Sequence, residues 1–270
     1  MDFTLKIYRQ LLEALQQKGY QFQTFAEYIK SPENKVVILR HDVDLLPGNS
    51  QQLAHIQSDK NIKGSYYFRA VPESWNEDII EDISNAGHEI GYHYETMDTS
   101  KGNLQLAEQQ FEENLEKLRK LASVTTICMH GSPRSKYDNR SLWQTTTSVA
   151  EGLPKLRHYH DFGITGEPYF DVDFSKVLYL TDTGRRWDGY KVSVRDKIPE
   201  HQERWEREGL VFHSTKDIIK AIQQDRLPDR IMFTFHPQRW HSSFIPWLKE
   251  LILQRAKNVV KRVLVLVKNE

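Results

Sequence analysis

Along the chain, short apolar runs alternate with longer segments whose apolar residues recur every three or four positions. The runs VVILR (36–40), GSYYFR (64–69), HEIGYH (88–93), TTICMH (125–130), KVLYL (176–180) and RIMFTF (230–235) are rich in β-branched and aromatic residues and predict buried strands. Helical patterns follow the first three, in NSQQLAHIQSDK (49–60), WNEDIIEDISNAG (75–87) and LQLAEQQFEENLEKLRKLA (104–122). Strands that alternate with helices build parallel βαβ units, hence a wound sheet or a barrel. Residues 1–20 read as an amphipathic helix within a helical extension over about 1–30, a further helix is expected at about 243–268, and 1–270 is expected to form a single domain.

The turn after the first strand decides between the two architectures. A dinucleotide-binding sheet needs a Gly-rich turn to seat a pyrophosphate; here the turn reads HDVDLLPGN, and its carboxylates would repel a phosphate. The barrel gains accordingly, and barrel enzymes build their sites at the carboxyl ends of strands. At such ends the chain places His41, Asp42 and Asp44, then His93 and Glu95, then His130, then His236.

Asp42 and Asp44 are two residues apart, so an extended backbone projects both to one side. Paired carboxylates that close invite a cation: one binds it, and the other, relieved of like-charge repulsion, is free to act as a base. Either aspartate alone would equally suit capping of the next helix, but histidines at neighbouring strand ends weigh against that use. His88, five residues before His93, falls on the opposite face of its strand and is assigned a structural role.

Charge and cysteine content narrow the partners. Lys+Arg and Asp+Glu number 37 each, which removes the field of a generic nucleic-acid binder. Cys128 is the only cysteine, so no intramolecular disulfide forms and a buried thiol in a reducing compartment is expected. Residues 1–20 lack the pattern of an export signal, and VVKRVLVLVK is broken by Lys261 and Arg262 and falls short of the ~20 residues of a membrane span. A soluble, cytoplasmic protein without membrane insertion is expected. The turn-rich stretches 131–141 and 163–171 predict long loops around a binding site.

The order HDVD, GSYYFR, GHEIGYHYE, HGSP and FTFHP, spread over about residues 36–240, resembles the polysaccharide deacetylase family, the NodB-type carbohydrate esterases. The resemblance implies an α/β fold, a deformed (β/α) barrel. It implies one divalent metal, zinc foremost with Co2+, Ni2+ or Fe2+ as alternatives, and hydrolysis of an acetyl or similar N-acyl group from an amino sugar. By the motif match Asp42 would be the base, Asp44 and His93 metal ligands, and His236 the acid that protonates the departing amine.

The family's second motif pairs two histidines four residues apart, and the second position here is Met97, whose thioether is a poor zinc ligand among oxygens and imidazoles. His130 is the expected third ligand, followed by Glu95 and then Asp98. The family's loop with an arginine and prolines corresponds to HGSPRSKYDN, giving Arg134 and Tyr137 as substrate contacts; its tryptophan-bearing loop corresponds to TDTGRRWDG (181–189), giving Asp182 and Trp187. Trp187, Tyr137 and Trp240 are expected either as a sugar platform or as ordinary half-buried aromatics. The expected partner is an amino-sugar, nucleotide-sugar or glycan substrate. Two competitors stand beside this reading: a non-catalytic carbohydrate binder of the same fold, favoured by Met97, and a metal phosphohydrolase, suggested by the dipeptide at 41–42.

Overall fold

All six apolar runs form strands in a computed structural model that describes residues 1–132, 135–144, 157–188, 193 and 195–268. In chain order the elements are α1 (Leu5–Gln17), β1 (Gln21–Gln23), α2 (Phe25–Lys30), β2 (Val36–Val43), α3 (Pro47–Ser58), β3 (Ser65–Phe68), α4 (Glu77–Asn85), β4 (Glu89–Tyr94) and α5 (Thr96–Thr99). They continue with α6 (Leu104–Arg119), β5 (Ile127–Met129), α7 (Ser141–Gln144), α8 (Pro168–Asp171), β6 (Leu178–Thr181), α9 (Pro199–Arg207), α10 (Thr215–Gln223), β7 (Arg230–Phe235) and α11 (Phe244–Lys268). Local chemistry sets several helix starts: the side chains of Thr4, Asn76 and Asn103 accept the first free N–H groups of α1, α4 and α6, and Thr24 with Glu27 forms a capping box on α2.

Among the described residues every strand pairing is parallel, in the order β5-β4-β3-β2-β7-β6. Within the stretch read as a helical extension, β1 forms a strand instead, pairing with Val36–Ile38 of β2, while β3 takes up the same edge of β2 from Arg40 onward. The carboxyl ends of β2, β4, β5, β6 and β7 nevertheless line one cavity, although β5 and β6 end the strand order on opposite sides. The sheet must therefore curl, and β5 and β6 do not pair among the described residues; this is the deformed α/β barrel.

β2 is buried at all eight positions and reads as a continuous apolar run because helices cover its outer face and the curled sheet encloses the other. Two apolar clusters seat these helices: Leu11, Leu12 and Leu15 of α1 join Ile218 and Ile222 of α10 in one, and Ile80 and Ile83 of α4 join Phe111 and Leu115 of α6 in the other. Gly91 in β4 is required sterically, since a Cβ there would stand 2.4 Å from the Tyr67 ring.

Strand alternation separates His41 from its neighbours. Its ring stacks on Tyr66 at 4.1 Å, with Nε2 3.1 Å from the Tyr8 hydroxyl and Nδ1 3.1 Å from the Ser65 carbonyl. His88 accepts the Gly64 N–H at Nδ1 and places Nε2 3.1 Å from the Ala54 carbonyl. Burial pushes His41 down to about 3 and His88 to about 4, so both are neutral in the folded chain. The unfolded chain protonates them near pH 6.5, so their stabilisation is complete above about pH 6.5 and is lost as pH falls to about 4 for His88 and about 3 for His41. The melting temperature should decline across that window, and a flat profile would contradict two histidines buried in neutral form.

Candidate active site

β2 carries Arg40 and Asp42 and delivers Asp44 just past its end, where the Asp44 N–H bonds back to the Asp42 carbonyl at 3.0 Å. Asp44 Oδ1 lies 3.5 Å from His93 Nε2 and 3.5 Å from His130 Nε2, and it is buried with no hydrogen-bond partner. Both rings are oriented from behind. His93 Nδ1 is 2.9 Å from the Cys128 carbonyl; His130 Nδ1 is 2.9 Å from Glu95 Oε2, an ion-pair contact bent away from a well-formed hydrogen bond. The other Asp44 oxygen accepts from Gln238 Nε2 at 3.1 Å and lies 4.0 Å from His236 Nε2. Burial opposes ionisation of Asp44, but His93, His130 and His236 outweigh it and hold the carboxyl well below the usual carboxylate range.

Glu95 stands behind this cluster. Arg69 gives it three hydrogen bonds of 2.8–3.1 Å and also donates to the Asp44 carbonyl at 3.0 Å. Burial raises the Glu95 pKa, yet His130 and Arg69 prevail and push it down to about 2, so Glu95 is an anion that orients His130. Asp98 is engaged by the Ser135 hydroxyl and the Asn139 amide. Met97 packs in the apolar cluster with Phe111, so this position serves the core.

Two further pairs flank the cluster. Arg40 grips Asp42 with two hydrogen bonds, Nε to Oδ1 at 2.8 Å and Nη2 to Oδ2 at 2.6 Å, and both side chains are buried. Asp42 Oδ2 is 3.9 Å from His93 Nε2. His236 Nδ1 is 2.6 Å from Asp182 Oδ1, and Asp182 also accepts from Arg239 Nη1 at 2.6 Å and Trp240 Nε1 at 2.7 Å. Burial opposes a charged Asp182, but Arg239 and His236 overcome it and its pKa is lowered. An ionised Asp182 fixes the His236 ring with Nδ1 as the donor and Nε2 turned toward Asp44.

These groups line one cavity of about 130 Å³, floored by Arg40, Asp42, Asp44, His93, His130 and His236. The expected substrate contacts are placed differently. Asp182 is wholly buried behind His236. Trp187 and Trp240 are 3% and 1% exposed, packed against Phe235 with Trp187 Nε1 donating to Thr215, so neither offers a ring face to the cavity. Tyr137 packs across Gly102, and Arg134 lies outside the described residues. Among the described residues, the tyrosine at the cavity is Tyr169, whose hydroxyl donates to Asp196 at 3.0 Å. Asp196 also takes hydrogen bonds from Tyr179, Thr181 and Thr183, and despite burial its pKa is lowered by His236, Arg40 and the threonine hydroxyls. Nothing in the sequence marks Asp196 or Gln238. Arg40 was detectable, because its spacing of two from Asp42 is the same alternation that aligns Asp42 with Asp44.

The fold and the cluster together define an α/β parallel-sheet protein with a candidate metal centre at the carboxyl ends of its strands. No family model matches the chain, and no curated protein matches it. Among solved structures, it is similar to a family 4 carbohydrate esterase from Bacillus anthracis (13% identity, 95% of this chain and 88% of that one, TM-score 0.39). It is also similar to PdaA of Bacillus subtilis, a family 4 carbohydrate esterase (13% identity, 92% and 83% covered, TM-score 0.40). A third is a mutant of a CE4 family pseudoenzyme (13% identity, 85% of this chain, TM-score 0.42), of whose length the chain spans 64%.

Proposed function

We propose that the chain is a metal-dependent hydrolase that removes an acetyl or similar N-acyl group from an amino sugar, a divergent relative of the polysaccharide deacetylases. One observation carries the reading: the buried, unpartnered Asp44 Oδ1 has an imidazole Nε2 on either side at 3.5 Å. Two donors bound at 2.0–2.1 Å to one tetrahedral ion sit about 3.4 Å apart, which the two separations from Asp44 match, and all three donor atoms lie within 4.8 Å of one another. A divalent ion held there would supply Lewis acidity toward the acyl oxygen.

The remaining chemistry falls to the chain's own groups. Asp42, held in place by Arg40, accepts a proton from the attacking water while the water oxygen bonds to the acyl carbon. As the C–N bond breaks, His236 Nε2 passes a proton to the nitrogen, which leaves poorly as an anion. The products are a carboxylic acid and a free amine. The cavity supports the reading by its size: about 130 Å³ is below the ~300–1,000 Å³ of sites that engulf a whole ligand, so it suits a short acyl group with the sugar ring outside.

The test is a panel of N-acetyl and N-formyl amino sugars, free and nucleotide-linked, incubated with chelated and with zinc-reconstituted protein. Zinc-dependent release of acetate or formate with a matching free amine is expected; release of phosphate instead would contradict the assignment. Asp182→Asn should lower kcat by about 10²-fold or more with little change in KM, because it disturbs the His236 tautomer and not the acyl pocket. An equal rise in KM with unchanged kcat would place Asp182 in binding.

A further inference from the structure

α11 is amphipathic in the reverse sense. The face packed on the domain is largely polar: Gln254 is buried, Asn258 donates to the Gly184 carbonyl at 2.8 Å, and Trp247 meets the body through its indole N–H to the Asp2 carbonyl and its own carbonyl to Arg185. The outward face is aliphatic. Ile245, Leu248, Ile252 and Val259 follow one another at helical spacing, with Ile245 67%, Ile252 60% and Val259 63% exposed. Lys249 and Arg255 are exposed on either side of this stripe, and Lys257 is exposed further round the helix. Over its 25 residues α11 carries six Lys or Arg and one acidic residue, Glu250, in a chain whose formal net charge is zero.

We infer that α11 lies on an anionic lipid surface, its aliphatic stripe in the acyl boundary and the flanking Lys249 and Arg255 among the headgroups. Two properties of the helix choose this occupant. A second copy of the chain, docked stripe to stripe about a two-fold axis, would bring each basic flank against its own image. An anionic bilayer instead answers both the apolar stripe and the positive charge. No helix among the described residues is long and apolar enough to cross a membrane, so α11 would rest in the interface and not span it.

The experiment is co-sedimentation of the full chain with vesicles of phosphatidylcholine alone and of phosphatidylcholine with phosphatidylglycerol, beside sedimentation velocity without lipid. Binding to the anionic vesicles is expected to exceed the zwitterionic control by about tenfold and to collapse near ~0.5 M salt. The variant Ile245→Glu with Ile252→Glu should lose about tenfold or more of that binding. Both residues are exposed, so its melting temperature should match wild type. Equal binding by the variant, or no preference for anionic vesicles, overturns the inference. A concentration-dependent dimer that the same variant dissociates, with no vesicle binding, overturns it in favour of a second copy.

Discussion

Asp42→Asn is expected to lower turnover by about 10²–10⁴-fold while leaving metal content intact. The asparagine keeps the size of the side chain and one oxygen for Arg40, but it takes no proton from water. Arg40 is 1% exposed and loses its counter-charge, so the variant should also be less stable by about 3–5 kcal/mol and must be assayed well below its melting temperature. This separates Asp42 from Asp44: both belong to the HDVD motif, but the structure gives the first to a guanidinium and the second to two imidazoles. Wild-type turnover in Asp42→Asn, with product balance maintained, would remove it from the base role.

His130→Ala is the second large effect. With one of the three proposed ligands removed, zinc affinity, read by competition with a chelating dye, should fall by about 10²-fold or more. Glu95→Gln should cost less, about 10–100-fold, because Glu95 acts by orienting His130 and not by holding the ion. The ordering discriminates between roles: a larger loss in Glu95→Gln would make Glu95 the ligand, and unchanged affinity in His130→Ala would dissolve the proposed triad.

Much of this arrangement was legible in the sequence, and the parts that were not share a physical cause. Strand runs and alternation are local properties, so the six strands, the parallel sheet and the shared side of Asp42 and Asp44 could be read from spacing. The meeting of Asp44, His93 and His130 followed from one rule, that parallel strands of a barrel bring their carboxyl ends together, and the structure does place the three within ligand reach of one another. His41 belonged to the same motif and the same rule misplaced it, because alternation sends it to the face where Tyr8 and Tyr66 pack.

The tryptophans show the other limit. Trp187 and Trp240 stand in turn-rich segments that resemble a cleft rim, yet burying an indole is worth more than displaying it, and each finds a buried acceptor for its N–H, Thr215 and Asp182. Asp196 is the converse: it stands in no recognisable motif, and only the tertiary fold gathers Tyr169, Tyr179, Thr181 and Thr183 around it.

The most direct measurement of the central claim is the metal content of tag-free wild-type protein by mass spectrometry, with Asp44→Ala as the control. About one zinc or similar divalent ion per chain, absent from the variant, is the predicted result. No stoichiometric metal in wild type after incubation with zinc, cobalt or nickel would contradict it, and would leave a protein that keeps the deformed α/β barrel for binding alone.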